Sequence, residues 1–183
     1  MRIAIAFHSG SGHTRRLTEI VAAELTALGA AVDCVDVEQM AEPDWQALAA
    51  AEAIVFAAPT YMGSVSAPFK AFMDESSEIW SDGLWADKIA AGMTVATFPS
   101  GDKLSTLIQM VVFAAQHGMI WLGQSEIGAP AAPGNDGIDE DGFSLGLAAT
   151  SVRDKTRMIR PGDELTAKRF AARLHATVRR WAG

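Results

Sequence analysis

One cysteine, Cys34, stands in 183 residues, so neither a disulfide framework nor a cysteine zinc cluster can form within the chain. No other metal-ligating pattern is apparent, and no metal is expected. Apolar runs are short, and none approaches the roughly 20 residues of a membrane span. Positive charge is in deficit: Lys and Arg number 15 against 22 Asp and Glu, for a formal net charge of −7. Nucleic-acid-binding surfaces are usually basic, so that class of partner is not expected. The chain shows no signal-peptide pattern, internal repeat, low-complexity linker or domain boundary. With 49% hydrophobic residues it can bury a sizeable core. These features predict a cytoplasmic protein with one domain over residues 1–183. Cys34 alternates with Val32 on a predicted strand, and a buried, apolar role is expected of it.

Two further absences narrow the opening loop. A short apolar run, Ile3 to Phe7, leads through Ser9-Gly10-Ser11-Gly12-His13-Thr14 into an amphipathic run. A strand, a Gly-rich loop and a helix N-terminus direct backbone N–H groups and a dipole at one small volume, which suits an anion. A Walker A loop would end in Gly-Lys-Ser/Thr; this one ends Gly12-His13-Thr14 and has no lysine. The dinucleotide fingerprint G-x-G-x-x-G would need a third glycine where Arg15 stands. What is left is a hydroxyl-rich loop suited to a terminal phosphomonoester such as that of FMN. Taken alone, the loop also reads as an ordinary Gly-rich turn.

Along the chain, strand and helix patterns alternate. Strands are predicted over 2–7, 31–37, 53–58, 89–97 and from 119 to 122. Helices are predicted from the opening loop to Gly29, and over 43–51, 68–80, 104–117 and 163–181. The continuous apolar run Ala53–Ala58 fits a strand covered on both faces. Five strands with intervening helices imply a doubly wound parallel sheet with helices on both faces. Ligands in such sheets sit beyond the carboxyl ends of the strands. The loops Ser9–Thr14, Pro59–Ser64 and Thr97–Lys103 all fall there. From about 123 to 160 little regular structure is expected; Asp136, Asp139, Glu140 and Asp141 form an acidic patch, and the segment reads as a surface excursion, a site or a subunit contact.

Four segments carry a family resemblance: Ser9–Thr14; Ala58-Pro59-Thr60-Tyr61-Met62-Gly63-Ser64 with the run to Asp74; the Trp80 region; and Gln116-His117-Gly118-Met119. In order and spacing the chain resembles the flavodoxin-like superfamily. Within it, the chain looks most like the NAD(P)H:quinone oxidoreductases of the tryptophan-repressor-binding-protein type. The resemblance implies the sheet order 2-1-3-4-5, FMN as cofactor, NADH or NADPH as co-substrate, a quinone-like acceptor, and a homo-oligomer. It implies that Ser9, Gly10, Ser11, Gly12, His13 and Thr14 hold the FMN phosphate. Pro59, Thr60, Tyr61, Met62 and Gly63 would line the ring, with Thr97, Phe98, Pro99, Ser100, Gly101 and Asp102 against its other edge. His117 would stand near the flavin as a catalytic group, and Trp80 would contact the quinone.

Residue chemistry agrees in part. Gly63 allows close backbone approach to a flat ring, and Tyr61 and Met62 are polarizable. N–H groups or a histidine near flavin N1 would stabilise the charge gained on reduction. Met62 reads equally as core packing, His117 as a helix C-terminal cap, and Trp80 and Trp85 as helix-end anchors or subunit contacts. The chain departs from the family in Phe98–Lys103, which holds one glycine, and in Ser11, where an aromatic is frequent. The expected activity is ping-pong transfer of two electrons from NAD(P)H to a quinone. The alternatives are a flavodoxin-type electron carrier and a flavodoxin-like scaffold without cofactor.

Overall fold

The computed structural model describes residues 1–129 and 131–182. The elements run β1 (Arg2–Phe7), α1 (His13–Ala27), β2 (Ala31–Asp36), α2 (Glu42–Ala50), β3 (Ala53–Tyr61), β4 (Ser64–Val65), α3 (Ala67–Glu75), α4 (Ser77–Ser81), β5 (Ile89–Ala96), α5 (Lys103–Gln116), β6 (Ile120–Leu122), β7 (Leu147–Thr150) and α6 (Pro161–Ala182). The sheet order is β2-β1-β3-β5-β6, with every neighbour on this path parallel. In the numbering of the expected strands, this is 2-1-3-4-5. The long helix expected over 68–80 is broken into α3 and α4 at Ser76.

Both faces of the sheet are covered, which is why β5 is buried throughout and β3 through seven of its nine residues. On one face Leu17, Val21 and Leu25 of α1 and Phe170, Leu174 and Val178 of α6 pack against Ile3, Ile5, Val55 and Met93. On the other face Leu48, Phe69, Leu107 and Phe113 surround Phe56. Trp85 belongs to this second core with no exposed surface, so it is not the contact residue it could have been. Cys34 departs from expectation in the other direction. It is exposed, because β2 is the edge strand with a neighbour on one side only. Partial desolvation and the nearby Asp33 and Glu19 carboxylates push its thiol up, which keeps it protonated.

The fifth strand is where the structure differs most from the pattern reading. It is made of two separate segments. β6 pairs with Ile89–Ala91 and β7 with Met93–Ala96, so both lie along β5. They meet across Gly92, where a Cβ would sit 2.6 Å from the Trp121 ring. A Cβ on Gly146 would come within 2.5 Å of the Gly92 carbonyl oxygen, so the junction requires both glycines. β7 is a buried four-residue run inside the stretch expected to lack regular structure.

The excursion between β6 and β7 is tied down by charge. Lys103, at the start of α5, is fully buried. Its Nζ donates to Asp141 Oδ2 at 2.7 Å and to Thr150 Oγ1 at 2.9 Å. Arg160 donates to the same Asp141 oxygen at 2.5 Å and pairs with Asp163 at 3.3 Å and Glu140 at 3.2 Å. Asp163 Oδ2 accepts from the Thr150 backbone N–H at 2.7 Å. Burial pushes the Lys103 ammonium down, partly offset by Asp141. Burial also opposes ionisation of Asp141, but Lys103, Thr150 and Arg160 outweigh it and hold that carboxyl below its ordinary value.

Asp141→Asn deprives a buried ammonium of its direct carboxylate and is expected to cost about 3 kcal/mol in urea unfolding. Because the folded-state value of Asp141 is depressed, its stabilisation is present above the ordinary carboxylate range. It is lost as pH falls through the depressed value. The acid limb of a stability profile should therefore be shallower in the Asn variant than in the wild type.

Candidate active site

Parallel strands bring their carboxyl ends to one edge, and here that edge gathers four segments. These are the loop after β1, the β3–β4 hairpin, the loop after β5, and Ser151 after β7. A cavity opens between them, lined by Ser9, Gly10, Ser11, His13, Thr14, Pro59, Thr60, Tyr61, Thr97 and Ser151.

The β1–α1 loop is shaped by local hydrogen bonding. Ser9 Oγ accepts from the Arg15 N–H at 3.0 Å and so caps the first turn of α1. Gly12 has φ +89°, which lets the chain turn sharply into the helix. Apart from that of Arg15, the first N–H groups of α1 have no intrahelical partner. Thr14 is almost fully buried, yet its Oγ1 has no hydrogen-bond partner. A buried hydroxyl without a partner beside free N–H groups fits a bound acceptor such as a phosphate oxygen. Arg15 does not point there: it pairs with Asp36 at 2.8 Å and lies over the Phe7 ring at 4.9 Å. Burial, with Lys155 nearby, pushes His13 down, so it is neutral at pH 7. What these loop residues offer an anion is therefore dipoles and hydroxyls rather than a charged side chain.

The β3–β4 hairpin supplies one wall. Thr60 Oγ1 shares hydrogen bonds with Thr94 and Thr106, each at 2.8 Å, and fixes the base of the hairpin. Tyr61 lies over the phosphate loop so closely that a Cβ on Gly10 would be 2.6 Å from its hydroxyl. Met62 (φ +49°) and Gly63 (φ +77°) form the two-residue turn, and the left-handed backbone throws the Met62 side chain fully into solvent. Met62 is thus not core packing. Across the cavity, Thr97, Phe98, Pro99, Ser100 and Asp102 are exposed, and Gly101 is half-buried. Phe98 keeps 69% of its surface exposed. An exposed Met and an exposed Phe on facing loops can grip a flat ring.

Two expected residues are not brought to this edge by their own chain. α5 starts at the site and carries the chain 14 residues, about 21 Å, to the opposite edge of the sheet. His117 follows its last turn. It is buried between Trp85 and Phe113, with Nε2 at 3.0 Å from Ser76 Oγ. Burial pushes its pKa down, so it is a neutral core histidine. Trp80 is exposed beside the same region, in a cavity shared with Lys70, Gln116 and His117. Closeness in a sequence motif did not mean closeness in space, because a full helix intervenes. Ser151, by contrast, lines the cavity and was not foreseen. Its one signal is the short apolar run Leu147–Ala149 just before it.

A doubly wound parallel sheet of order β2-β1-β3-β5-β6, with a lysine-free Gly-rich loop at its carboxyl edge, defines a flavodoxin-like protein. The comparisons narrow this. Residues 1–134 match the model of the NADPH-dependent FMN reductase family, and the chain belongs to that family. The flavodoxin FldP of Pseudomonas aeruginosa is 37% identical over 179 residues, covering 94% of each chain. An NAD(P)H dehydrogenase (quinone) of Sinorhizobium fredii is 25% identical over 92% of each. Among solved structures, a flavodoxin, WrbA-like protein of Agrobacterium tumefaciens superimposes with a TM-score of 0.78 at 33% identity, covering 98% of each chain.

Thr14→Ala removes the unpartnered hydroxyl without opening the fold. It is expected to weaken FMN binding by about tenfold, read from quenching of flavin fluorescence by apoprotein.

Proposed function

We propose that this chain binds FMN at the β1–α1 loop and uses it to pass two electrons from NAD(P)H to a quinone-like acceptor by a ping-pong mechanism. The observation that carries this reading is the convergence of the buried, unpartnered Thr14 hydroxyl with the exposed Met62 and Phe98 at one sheet edge. Bound FMN would supply the hydride-accepting and electron-passing chemistry. The protein's part is placement. Ser9 to Thr14 anchor the phosphate, and the rigid threonine cluster under Tyr61 fixes one ring wall. The open disposition of Met62 and Phe98 leaves a face that a nicotinamide and then a quinone can reach in turn. No proton-donating side chain is required of this chain. Membership of the NADPH-dependent FMN reductase family supports the reading, as does the quinone dehydrogenase from Sinorhizobium fredii.

A homo-oligomer is part of the proposal. The exposed Trp80 and the cavity beside His117 offer a surface for a second copy. Size-exclusion chromatography with light scattering tests this, and a monomer with full activity would reject it.

One observation favours a second reading. The 37% identical relative is named a flavodoxin, which fits an electron carrier served by a protein reductase. The purified holoprotein should be yellow and should oxidise NADPH or NADH with benzoquinone, without any added protein. A yellow protein inert to both nicotinamides, but reduced in one-electron steps by a reductase, would replace the first reading with the second.

A further inference from the structure

The chain is acidic overall, yet four basic residues cluster beside the site. Arg153, Lys155, Arg157 and Arg160 fall within eight positions. Arg160 is committed to Asp141 and Asp163, and Arg157 faces Asp154 at 3.8 Å. Arg153 and Lys155 are exposed and make no ion pair among the described residues. They are carried by a short loop with a fixed base. Ser151 bridges to Ile159, which is fully buried, and the Val152 N–H donates to the Met158 carbonyl at 2.9 Å. Asp154 Oδ1 accepts from the Thr156 N–H at 2.9 Å and from its hydroxyl at 2.7 Å, which orders the tip. Met158 reaches the phosphate loop: a Cβ on Gly12 would be 2.7 Å from its Cε.

This loop walls a second cavity, lined by His13, Thr97, Phe98, Ser151, Arg153 and Lys155. His13, Thr97 and Ser151 also line the first cavity, so the two adjoin. Phe98 lines this second cavity and is largely exposed.

We propose that this second cavity receives the adenosine end of NADPH, with Arg153 and Lys155 binding its 2′-phosphate, which makes the protein selective for NADPH over NADH. The proposal rests on the nicotinamide-oxidising reading above. Its physical basis is a charge difference. NADPH carries a phosphomonoester that NADH lacks, and that group has three acceptor oxygens suited to Arg and Lys. Two unpaired cations at the cavity mouth attract the more highly charged nucleotide more strongly, against a chain of net charge −7 that otherwise repels both. Phe98 offers the adenine a stacking surface between the ring wall and the basic loop. The loop's own carboxylate, Asp154, is held by Thr156 and faces Arg157, so it does not compete for the two cations.

The test uses FMN-loaded protein and the variants Arg153→Ser and Lys155→Ser, with Arg179→Ser on α6 as a control for net charge. By titration calorimetry, the wild type should bind adenosine 2′,5′-diphosphate more tightly than adenosine 5′-diphosphate, and each loop variant should lose that preference. In steady state, the ratio of kcat/KM for NADPH to that for NADH should fall about 10- to 100-fold in each loop variant and stay constant in Arg179→Ser. Wild-type protein that binds the two diphosphates equally would overturn the proposal, as would loop variants with an unchanged ratio. If neither nicotinamide is oxidised, the oxidoreductase reading fails, and the calorimetry alone still decides whether the cavity takes a 2′-phosphate.

Discussion

The buried ammonium of Lys103 is the contact on which the far side of the sheet depends. It begins α5, immediately after the loop that faces the proposed ring. It reaches Asp141 in the excursion and Thr150 at the end of β7. Arg160, at the threshold of α6, closes on the same carboxylate. Helix, loop, strand and helix thus meet at one Asp oxygen. A charge of this kind contributes little net stability compared with apolar packing, because desolvation offsets most of the Coulomb gain. What it supplies is registration. Each member has a fixed donor or acceptor to meet, so β7 is held at the position where Ser151 enters the site.

The anion loop shows the opposite economy. No charged side chain of the loop is turned into its cavity: Arg15 faces Asp36, and His13 is neutral. What the loop offers an anion is the N-terminal end of α1 and a buried hydroxyl, whose positions are set by the backbone. Exposed cations without an ion pair among the described residues stand one step out, on the 151–159 loop, where a ligand that comes and goes would meet them. A resident phosphate and a visiting one would therefore be met by different physics in two adjoining cavities.

Much of this was legible in residue patterns. A parallel sheet follows from five apolar runs separated by helical periodicity, its strand order was implied by the family resemblance, and the Ser9–Thr14 loop pointed to an anion site through what it lacked. The two loops expected to flank the ring do converge with it. Three features were hidden for physical reasons. β7 is too short, at four residues, to show an alternation. Lys103 reads as an ordinary surface lysine until the distant Asp141 is brought to it, 38 residues on. His117 was assigned by motif, while the length of α5 takes it to the opposite edge of the sheet. The exposure of Cys34 depended on β2 lying at the sheet edge, which local alternation does not reveal.

The divided fifth strand has a consequence for how this chain can change. The excursion departs after Leu122 and returns at Leu147, yet both ends lie against β5 at neighbouring registers, on either side of Gly92. Its two feet are nearly touching, so the sheet does not register how much chain lies between them. Closing a longer or shorter span costs only a fraction of a kcal/mol per change of a few residues. The outer part of the excursion is therefore a natural place for length to drift between relatives. Asp141 and the glycine junction mark the points at which that drift must stop.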